Sequence, residues 1–151
     1  MEKQLNYQLK YENLIQRNIH PDFKIVETTD DVILENCINL FNSKIKWDDM
    51  FDLKQANDRI KLGDKMYVGY FKNDVVGYSW LKEINNCEYY LYNVFIEQTS
   101  INRNFGAKDL AYLIIKYHTK GLITLDVDEW NIKAQKFAEG LGFIKIINSQ
   151  L

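Results

Sequence analysis

Apolar residues in the first part of the chain recur at helical spacing in three segments and at strand spacing in one. Residues 3–18 have leucines loosely on one side, which indicates a polar helix, and residues 23–27 predict a short strand. Residues 28–30 are two threonines and an aspartate, which favour a helix cap. We therefore expect two further helices, over residues 32–41 and 47–62.

The middle of the chain is rich in β-branched and aromatic residues and predicts three strands, over residues 66–71, 75–84 and 88–97. The connections at residues 73–74 and 85–86 consist of asparagine and aspartate, which tolerate the positive φ angles of tight turns. The three strands should therefore form an antiparallel meander.

The last third of the chain alternates between helix and strand. Apolar residues at i, i+3, i+4 and i+7 predict a helix over residues 107–118, and helical spacing recurs over residues 134–141. Strands are predicted after each helix, over residues 122–127 and 143–147. Because short crossovers favour parallel neighbours, we expect an α/β fold with a mixed sheet, in which the meander is followed by strand, helix, strand, helix and strand.

Composition narrows the class of protein. The chain carries 19 basic and 21 acidic side chains, a net charge of −2, which gives no indication of nucleic-acid binding. No apolar run reaches the roughly 18 residues of a membrane span, and the N-terminus lacks a signal-peptide core. Cys37 and Cys87 have no partner spacing and are expected to be free thiols. We therefore expect a cytoplasmic protein with no membrane or nucleic-acid partner.

Three junctions between strands and helices have residues suited to a binding site. Residues 96–110 include Phe105-Gly106-Ala107 at a helix N-terminus, where free backbone N–H groups can hold phosphate, although most loops of this kind share that character. Asn131 stands where a helix begins and is suited to a cap. Residues 140–143, Gly-Leu-Gly-Phe, provide a glycine for the positive φ that a helix needs before it turns directly into a buried strand, and then a large apolar residue to anchor that strand.

The spacing of residues 127–143 resembles a motif of the GNAT superfamily of N-acetyltransferases, V-x-x-x-N-x-x-A-x-x-[LF]-Y-x-x-x-G-F. The matching residues are Val127, Asn131, Ala134, Phe137, Gly142 and Phe143. The order of predicted elements over residues 23–147 is also similar to that of the family. The resemblance implies that residues 1–22 are an N-terminal extension and that residues 23–151 form one acyltransferase domain.

The earlier motif of the family, [QR]-x-x-G-x-[GA], is degenerate in this chain. Read from Arg103 it keeps Gly106, and read from Asn102 it ends on Ala107, which fits the downstream helix better. Both readings put the motif at the same helix N-terminus.

The resemblance implies acetyl-CoA as the co-substrate, in a cleft where two central parallel strands, 88–97 and 122–127, splay apart. Backbone amides at the helix N-terminus would meet its pyrophosphate, the strand 88–97 would pair with its pantetheine arm, and Asn131 would hydrogen-bond that arm. The residues implied as cofactor-binding are Val94, Phe95, Ile96, Arg103, Asn104, Phe105, Gly106, Ala107, Lys108, Asn131 and Phe137.

The implied reaction is direct attack of a primary amine on the acetyl thioester in a ternary complex. An alkylamine has a reference pKa of about 10.4 and must lose a proton before it attacks. Glu97 is the first candidate for the base, with Glu88, Asp126, Asp128 and a chain of water molecules as alternatives. Carboxylates of this kind are also common as solvated surface charges.

The tyrosine that protonates the leaving thiolate in many family members is absent, because Ala138 stands at its position. Tyr92 is the candidate for this role, with Tyr90 as the alternative. Because the reference thiol pKa is about 8.5, a thiolate leaves fairly well unprotonated, and loss of the acid would cost on the order of 10²-fold or less. The alternative function is a catalytically weak or inactive module of this fold that binds CoA or a protein partner.

The expected acceptor is a small-molecule or protein amine. An acidic, aromatic rim of residues 47–51 and Trp80 would suit a cation, although such residues also complement helix dipoles and fill cores. The family has a further strand after residues 143–147, so we expect the N-terminal extension or a second copy of the chain, in a homodimer, to cover the C-terminal sheet edge. No metal is expected, because His20 and His118 lack metal-ligand spacing.

Overall fold

The structure, a computed structural model, describes residues 3–42, 52–97 and 105–147. The strands are β1 (Gln4–Lys10), β2 (Phe23–Thr28), β3 (Lys65–Phe71), β4 (Asp74–Asn85), β5 (Glu88–Ile96), β6 (Leu122–Asp128) and β7 (Ile144–Lys145). The helices are α1 (Asp31–Asn42), α2 (Leu53–Lys61), α3 (Ala107–His118) and α4 (Ile132–Leu141). In this part of the chain, no helix is long and apolar enough to span a bilayer.

These strands form one mixed sheet in the order β2-β3-β4-β5-β6-β1-β7. Strands β3, β4 and β5 form the predicted antiparallel meander, and β2 is antiparallel to β3. Strands β5 and β6 are parallel neighbours, joined through α3. The predicted mixed α/β class is confirmed.

The N-terminal segment differs most from the sequence prediction, because it forms a strand of the sheet. Strand β1 pairs antiparallel with β6 along its whole length, and β7 pairs with the other edge of β1. The helix predicted over residues 3–18 is wrong, since the apolar residues Leu5, Tyr7 and Leu9 repeat every second position. Tyr7 is fully buried in the core. N-terminal residues thus cover the edge of β6, and the homodimer stays a prediction.

Side-chain caps determine where the first two helices begin. Asp30 accepts hydrogen bonds from two backbone amides of α1 at 3.0 and 3.1 Å, as the sequence predicts. Asp52 and Gln55 cap α2 reciprocally, with each side chain accepting from the other residue's backbone N–H at 2.7 and 2.8 Å. Helix α2 therefore begins at Leu53 rather than at residue 47, and the predicted segment 47–51 lies outside the described residues.

Apolar side chains pack against both faces of the sheet. One face is covered by α3 and α4, with Leu110 and Ile114 fully buried, and the other by α1 and α2, with Leu34 and Cys37 fully buried. Burial of a Leu or Ile side chain contributes about 1.5–3 kcal/mol. The sheet is thus held from both sides, and the site described below lies where its pairing is interrupted.

Gly142 ends α4 with φ +107, as its position in the sequence predicts. A Cβ atom there would also lie 2.5 Å from the carbonyl oxygen of Asn13, so the chain after β1 passes directly against this turn. Phe143 follows at 2% exposure and anchors the entry to β7 in the core.

Candidate functional site

Strands β5 and β6 are paired at one end only. The parallel register joins residues 88–90 to residues 122–124, and no further pair follows in the described part of these strands. Beyond this point lies a wedge with a cavity of about 170 Å³, lined on the side of α3 and α4 by Leu91, Leu125 and Phe137. The predicted splay of the central parallel strands is confirmed.

A β-bulge at Asn93 bends β5 beside this wedge. Asn93 has φ +53, and the pairing of β5 with β4 shifts between Tyr78 and Trp80. Leu91 and Val94 both pack on the side of α3, although they are three residues apart and a regular strand repeats every two. Asparagine adopts positive φ more readily than most residues. The bulge therefore gives the second half of β5 a different course from the first half, which pairs with β6.

A larger groove, with a volume of about 890 Å³, continues from the wedge to the N-terminus of α3 and the start of α4. Ligand sites typically have volumes of roughly 300–1,000 Å³. The predicted cofactor-binding residues that line it are Val94, Phe95, Ile96, Phe105, Gly106, Ala107, Lys108, Asn131 and Phe137. The other two, Arg103 and Asn104, lie outside the described residues.

The sequence prediction missed five residues that also line the groove: Arg17, Asp109, Lys133, Ala134 and Lys136. Three of these, on α4, have a signal in the sequence, because they lie within a turn or two of the predicted contact Asn131. Arg17 has no such signal, since it reaches the groove from the segment between β1 and β2.

The N-terminus of α3 gives one end of the groove a positive polarity. The amides of Ala107 and Lys108 are the first of the helix and have no carbonyl partner within it, and the helix dipole favours an anion there. Gly106 N–H donates to Asp109 Oδ2 at 2.8 Å, and Asp109 Oδ1 accepts from Arg17 Nε at 3.0 Å and lies 2.9 Å from Arg17 Nη2 in an ion pair. A buried carboxylate, neutralised by an arginine, thus lies at this end.

Three lysines add positive charge to the walls of the groove: Lys108 at the start of α3, and Lys133 and Lys136 on α4. The Lys108 side chain passes over Gly140 of α4, since a Cβ atom built on Gly140 would lie 2.8 Å from Lys108 Nζ. Clustered cations of this kind attract phosphate groups.

Asn131 caps α4, as predicted. Its Oδ1 accepts a hydrogen bond from the backbone N–H of Ala134 at 3.1 Å, and the residue also lines the groove. The side-chain amide has two N–H donors in addition to this acceptor. The cap therefore leaves donors for a ligand, and the contact with a ligand stays a prediction.

Tyr92 lines the wedge, and its hydroxyl belongs to a network with Arg59 of α2 and Asp64, the residue before β3. It donates to Asp64 Oδ2 at 2.5 Å and accepts from Arg59 Nη1 at 3.1 Å, and Asp64 is only 8% exposed. Burial, followed by the hydrogen bond to Asp64 and its charge, raises the pKa of the Tyr92 phenol well above its usual value, and Arg59 opposes this shift. A phenol with a raised pKa is a weaker proton donor. The network thus works against the acid role, which stays a prediction.

The candidate bases lie at different points along the wedge. Glu88 lies in the paired end of β5, and Glu97 follows the open end, where its N–H donates to the Val76 carbonyl at 2.7 Å. Asp126 lines the wedge itself and accepts from the Tyr90 hydroxyl at 3.1 Å. Burial, with a smaller contribution from Asp126, raises the pKa of Tyr90 to about 12. Of the three, Asp126 lines the open wedge, and Glu97 follows the open end of β5 without lining either cavity.

Two residues that the sequence analysis linked to the reaction, one at the position of the absent tyrosine and one in the acceptor rim, lie in the core. Ala138, at the position of the absent tyrosine, is fully buried. Trp80 is also fully buried and stacks on Tyr92 with ring centroids 6.3 Å apart, so it packs in the core rather than forming a rim. The rest of the predicted acceptor rim, residues 47–51, lies outside the described residues.

Both cysteines are free, as predicted. Cys37 is buried, and burial raises the pKa of its thiol to about 12, which disfavours it as a nucleophile near neutral pH. Among the residues that the structure describes, no group of three His, Cys, Asp or Glu side chains is arranged to hold a metal ion.

A mixed sheet that splays between two parallel strands, beside the N-terminus of the connecting helix, is the architecture of the GNAT class of acetyltransferases. The model of the acetyltransferase (GNAT) family matches residues 34–143 of the sequence. The chain belongs to this family. A search of curated proteins gave no significant match.

Solved structures share the fold. A functionally unknown conserved protein from Staphylococcus epidermidis aligns with a TM-score of 0.67 and 12% identity over 95% of this chain and 57% of that chain. An acetyltransferase from Streptococcus agalactiae aligns with a TM-score of 0.59 and 20% identity over 87% and 89% of the two chains. An aminoglycoside acetyltransferase from an uncultured soil metagenomic sample, in complex with trehalose, aligns with a TM-score of 0.62 and 16% identity over 82% of this chain and 90% of that chain. The chain spans about half the length of several structures that it matches.

Proposed function

We propose that this protein transfers the acetyl group of acetyl-CoA to the primary amine of a small molecule or protein, by direct attack in a ternary complex. The observation that carries the proposal is the wedge between β5 and β6, which opens after three residue pairs and continues into the larger groove. Its apolar walls suit a slender thioester arm, and the basic groove with a helix N-terminus suits the phosphates of the nucleotide. The two ends of the site thus match the two ends of acetyl-CoA.

The backbone of β5 around Val94 and Ile96 binds the pantetheine arm in this proposal. On the side of the wedge, Val94 and Ile96 have no paired residue on β6 in the described part of the chain, so an added strand can pair with them. Asn131 donates its side-chain amide to the same arm, and Phe137 packs against it. The amides of Ala107 and Lys108 hold the pyrophosphate.

Acetyl-CoA supplies an acetyl group activated as a thioester. A backbone N–H on the open edge of β5 donates to the thioester carbonyl, which favours charge development on that oxygen. Glu97 takes the proton of the amine, directly or through water, the new C–N bond replaces the C–S bond, and the sulfur leaves as a thiolate. Most of the acceleration comes from holding the reactants together.

The amine enters from the face of the sheet on which Tyr92 and Asp126 line the wedge. Side chains of α4, including Phe137, occupy the opposite face, so the cofactor and the amine approach from different sides. The Asp126 carboxylate supports a cationic acceptor. An amine acceptor also agrees with the description of one similar structure as an aminoglycoside acetyltransferase.

Calorimetric binding of acetyl-CoA, together with release of free thiol in the presence of an amine panel, tests the proposal. Acetyl-CoA should bind saturably and raise the melting temperature, and at least one amine should release thiol. Ala134→Phe adds a ring to the wedge and should abolish binding, while Ile132→Phe adds bulk at an exposed position of the same helix and should not. Binding without thiol release for any amine would favour the non-catalytic module, and no binding would remove the cofactor from the account.

A further inference from the structure

The segment between β1 and β2 is held against the ends of α3 and α4. Tyr11 Oη donates to the Lys116 carbonyl at 2.8 Å, and Ile15 N–H donates to the Leu141 carbonyl at 3.0 Å. These contacts fix the backbone on the N-terminal side of Arg17. The arginine therefore reaches the groove from a fixed point, although it precedes the segment 34–143 that matches the family model.

Arg17 is paired with the carboxylate that lies at the N-terminus of α3. Its Nε and Nη2 lie 3.0 and 2.9 Å from Asp109 Oδ1, while Asp109 Oδ2 accepts from Gly106 N–H at 2.8 Å. The Asp109 side chain is 9% exposed and that of Arg17 is 30% exposed, so the arginine still faces the groove. The pair thus joins the N-terminal segment to the anion-binding end of the site.

A carboxylate in the first turn stabilises a helix, but it repels any other anion that binds there. In a partly desolvated groove this repulsion is screened less than in water. Without a counter-charge, Asp109 would oppose the pyrophosphate that the proposed function assigns to the amides of Ala107 and Lys108. The neighbouring arginine supplies that counter-charge.

We propose that Arg17 is a positioning residue for acetyl-CoA: by neutralising Asp109, it enables the N-terminus of α3 to accept the pyrophosphate. This inference rests on the proposed function. It makes the segment before β2 part of the cofactor site, so that cofactor affinity depends on a residue outside the family-matched segment.

The test compares acetyl-CoA with S-acetyl-pantetheine, which has the same thioester arm but no phosphates. Affinities are measured by calorimetry for acetyl-CoA and by ligand-observed NMR titration for the weaker analogue. Arg17→Gln should weaken acetyl-CoA by about tenfold and leave S-acetyl-pantetheine within about twofold. Arg17→Lys, which keeps the charge, should recover part of the loss.

A second variant separates charge from structure. In Arg17→Gln/Asp109→Asn the uncompensated carboxylate is also removed, so most of the affinity for acetyl-CoA should return. Lys54→Gln removes one positive charge from an exposed ion pair on α2 and should leave both affinities unchanged, which controls for net charge.

Equal weakening of both ligands by Arg17→Gln would overturn the inference, because Arg17 would then only support the fold. No recovery in the double variant would also overturn it, because Arg17 would then act otherwise than by neutralising Asp109. Unchanged affinity in Arg17→Gln would likewise refute it while leaving the proposed function intact. Failure of the wild-type protein to bind acetyl-CoA would instead contradict the proposed function.

Discussion

Tyr92→Phe removes one hydroxyl from the network beside the wedge and should destabilise the protein. The change leaves the Asp64 carboxylate, 8% exposed, without its 2.5 Å hydrogen bond, and its ion pair with Arg59 is long, at 3.9 Å. A hydrogen bond to a charged group contributes about 1.5–3 kcal/mol, and a buried acceptor that loses it regains no water. We therefore expect the free energy of unfolding to fall by about 1.5–3 kcal/mol.

Urea unfolding followed by tryptophan fluorescence measures this loss. In a chain of this length, 1 kcal/mol corresponds to about 2–4 °C in melting temperature, so thermal unfolding should shift by roughly 3–12 °C. Tyr90→Phe is the matched control, because its hydroxyl binds the exposed carboxylate of Asp126 at 3.1 Å and its loss should cost less than about 1 kcal/mol. Equal losses in the two variants would refute the reasoning from burial.

The same variant tests how Tyr92 contributes to the reaction. If its hydroxyl is committed to Asp64, kcat should fall by less than about tenfold, because no proton donor is lost. If Tyr92 protonates the leaving thiolate, kcat should fall by about 10²-fold or more at unchanged KM. The second result would restore the acid role to Tyr92 and contradict our interpretation of its raised pKa.

Three further predictions follow from local features. Folding raises the pKa of seven of the ten tyrosines, that of Tyr90 to about 12, so their neutral phenols favour the folded state. This contribution to stability is complete below the unfolded pKa of about 10 and is lost progressively as the pH rises from there through the folded pKa values. In an absorbance titration, these seven tyrosines should ionise at higher pH in the native protein than in the unfolded chain. Gly142→Ala, at φ +107 and against the Asn13 carbonyl, should lower stability by more than about 1 kcal/mol in urea unfolding. Asn131→Ala should lower the free energy of unfolding by about 1 kcal/mol through the lost cap, and should also weaken the binding of acetyl-CoA measured by calorimetry. Asp30→Ala, which removes the cap of α1, should lower stability without changing this affinity. If Asn131→Ala binds acetyl-CoA as tightly as the unaltered protein, Asn131 is a cap only.

Local patterns predicted the elements whose interactions lie close in sequence. The meander and α3 were predicted nearly to their ends, because alternation, turn residues and helical spacing all indicate the same structure there. The N-terminal strand was missed because its partner, β6, lies more than a hundred residues away. Leu5, Tyr7 and Leu9 have strand spacing, but the leucines of the same segment also fit a loose helix.

The candidate site was also predicted only in part, where its residues belong to a local motif. The motif around Asn131 predicted Asn131 and Phe137 as groove residues, but not the other residues of α4 that line the groove. The bulge at Asn93 was missed, although an asparagine in a run of aromatic and β-branched residues is a signal for it. The pair of Arg17 with Asp109 joins residues 92 positions apart, and a single sequence holds no local trace of such a contact.

A crystal structure of the protein with acetyl-CoA or a non-reactive analogue tests the central claim most directly. The account predicts the thioester between β5 and β6, just beyond the last of their residue pairs, beside Leu91 and Leu125, with the pyrophosphate at the N-terminus of α3. Continuous pairing of β5 with β6, or a ligand bound outside this wedge, would contradict it.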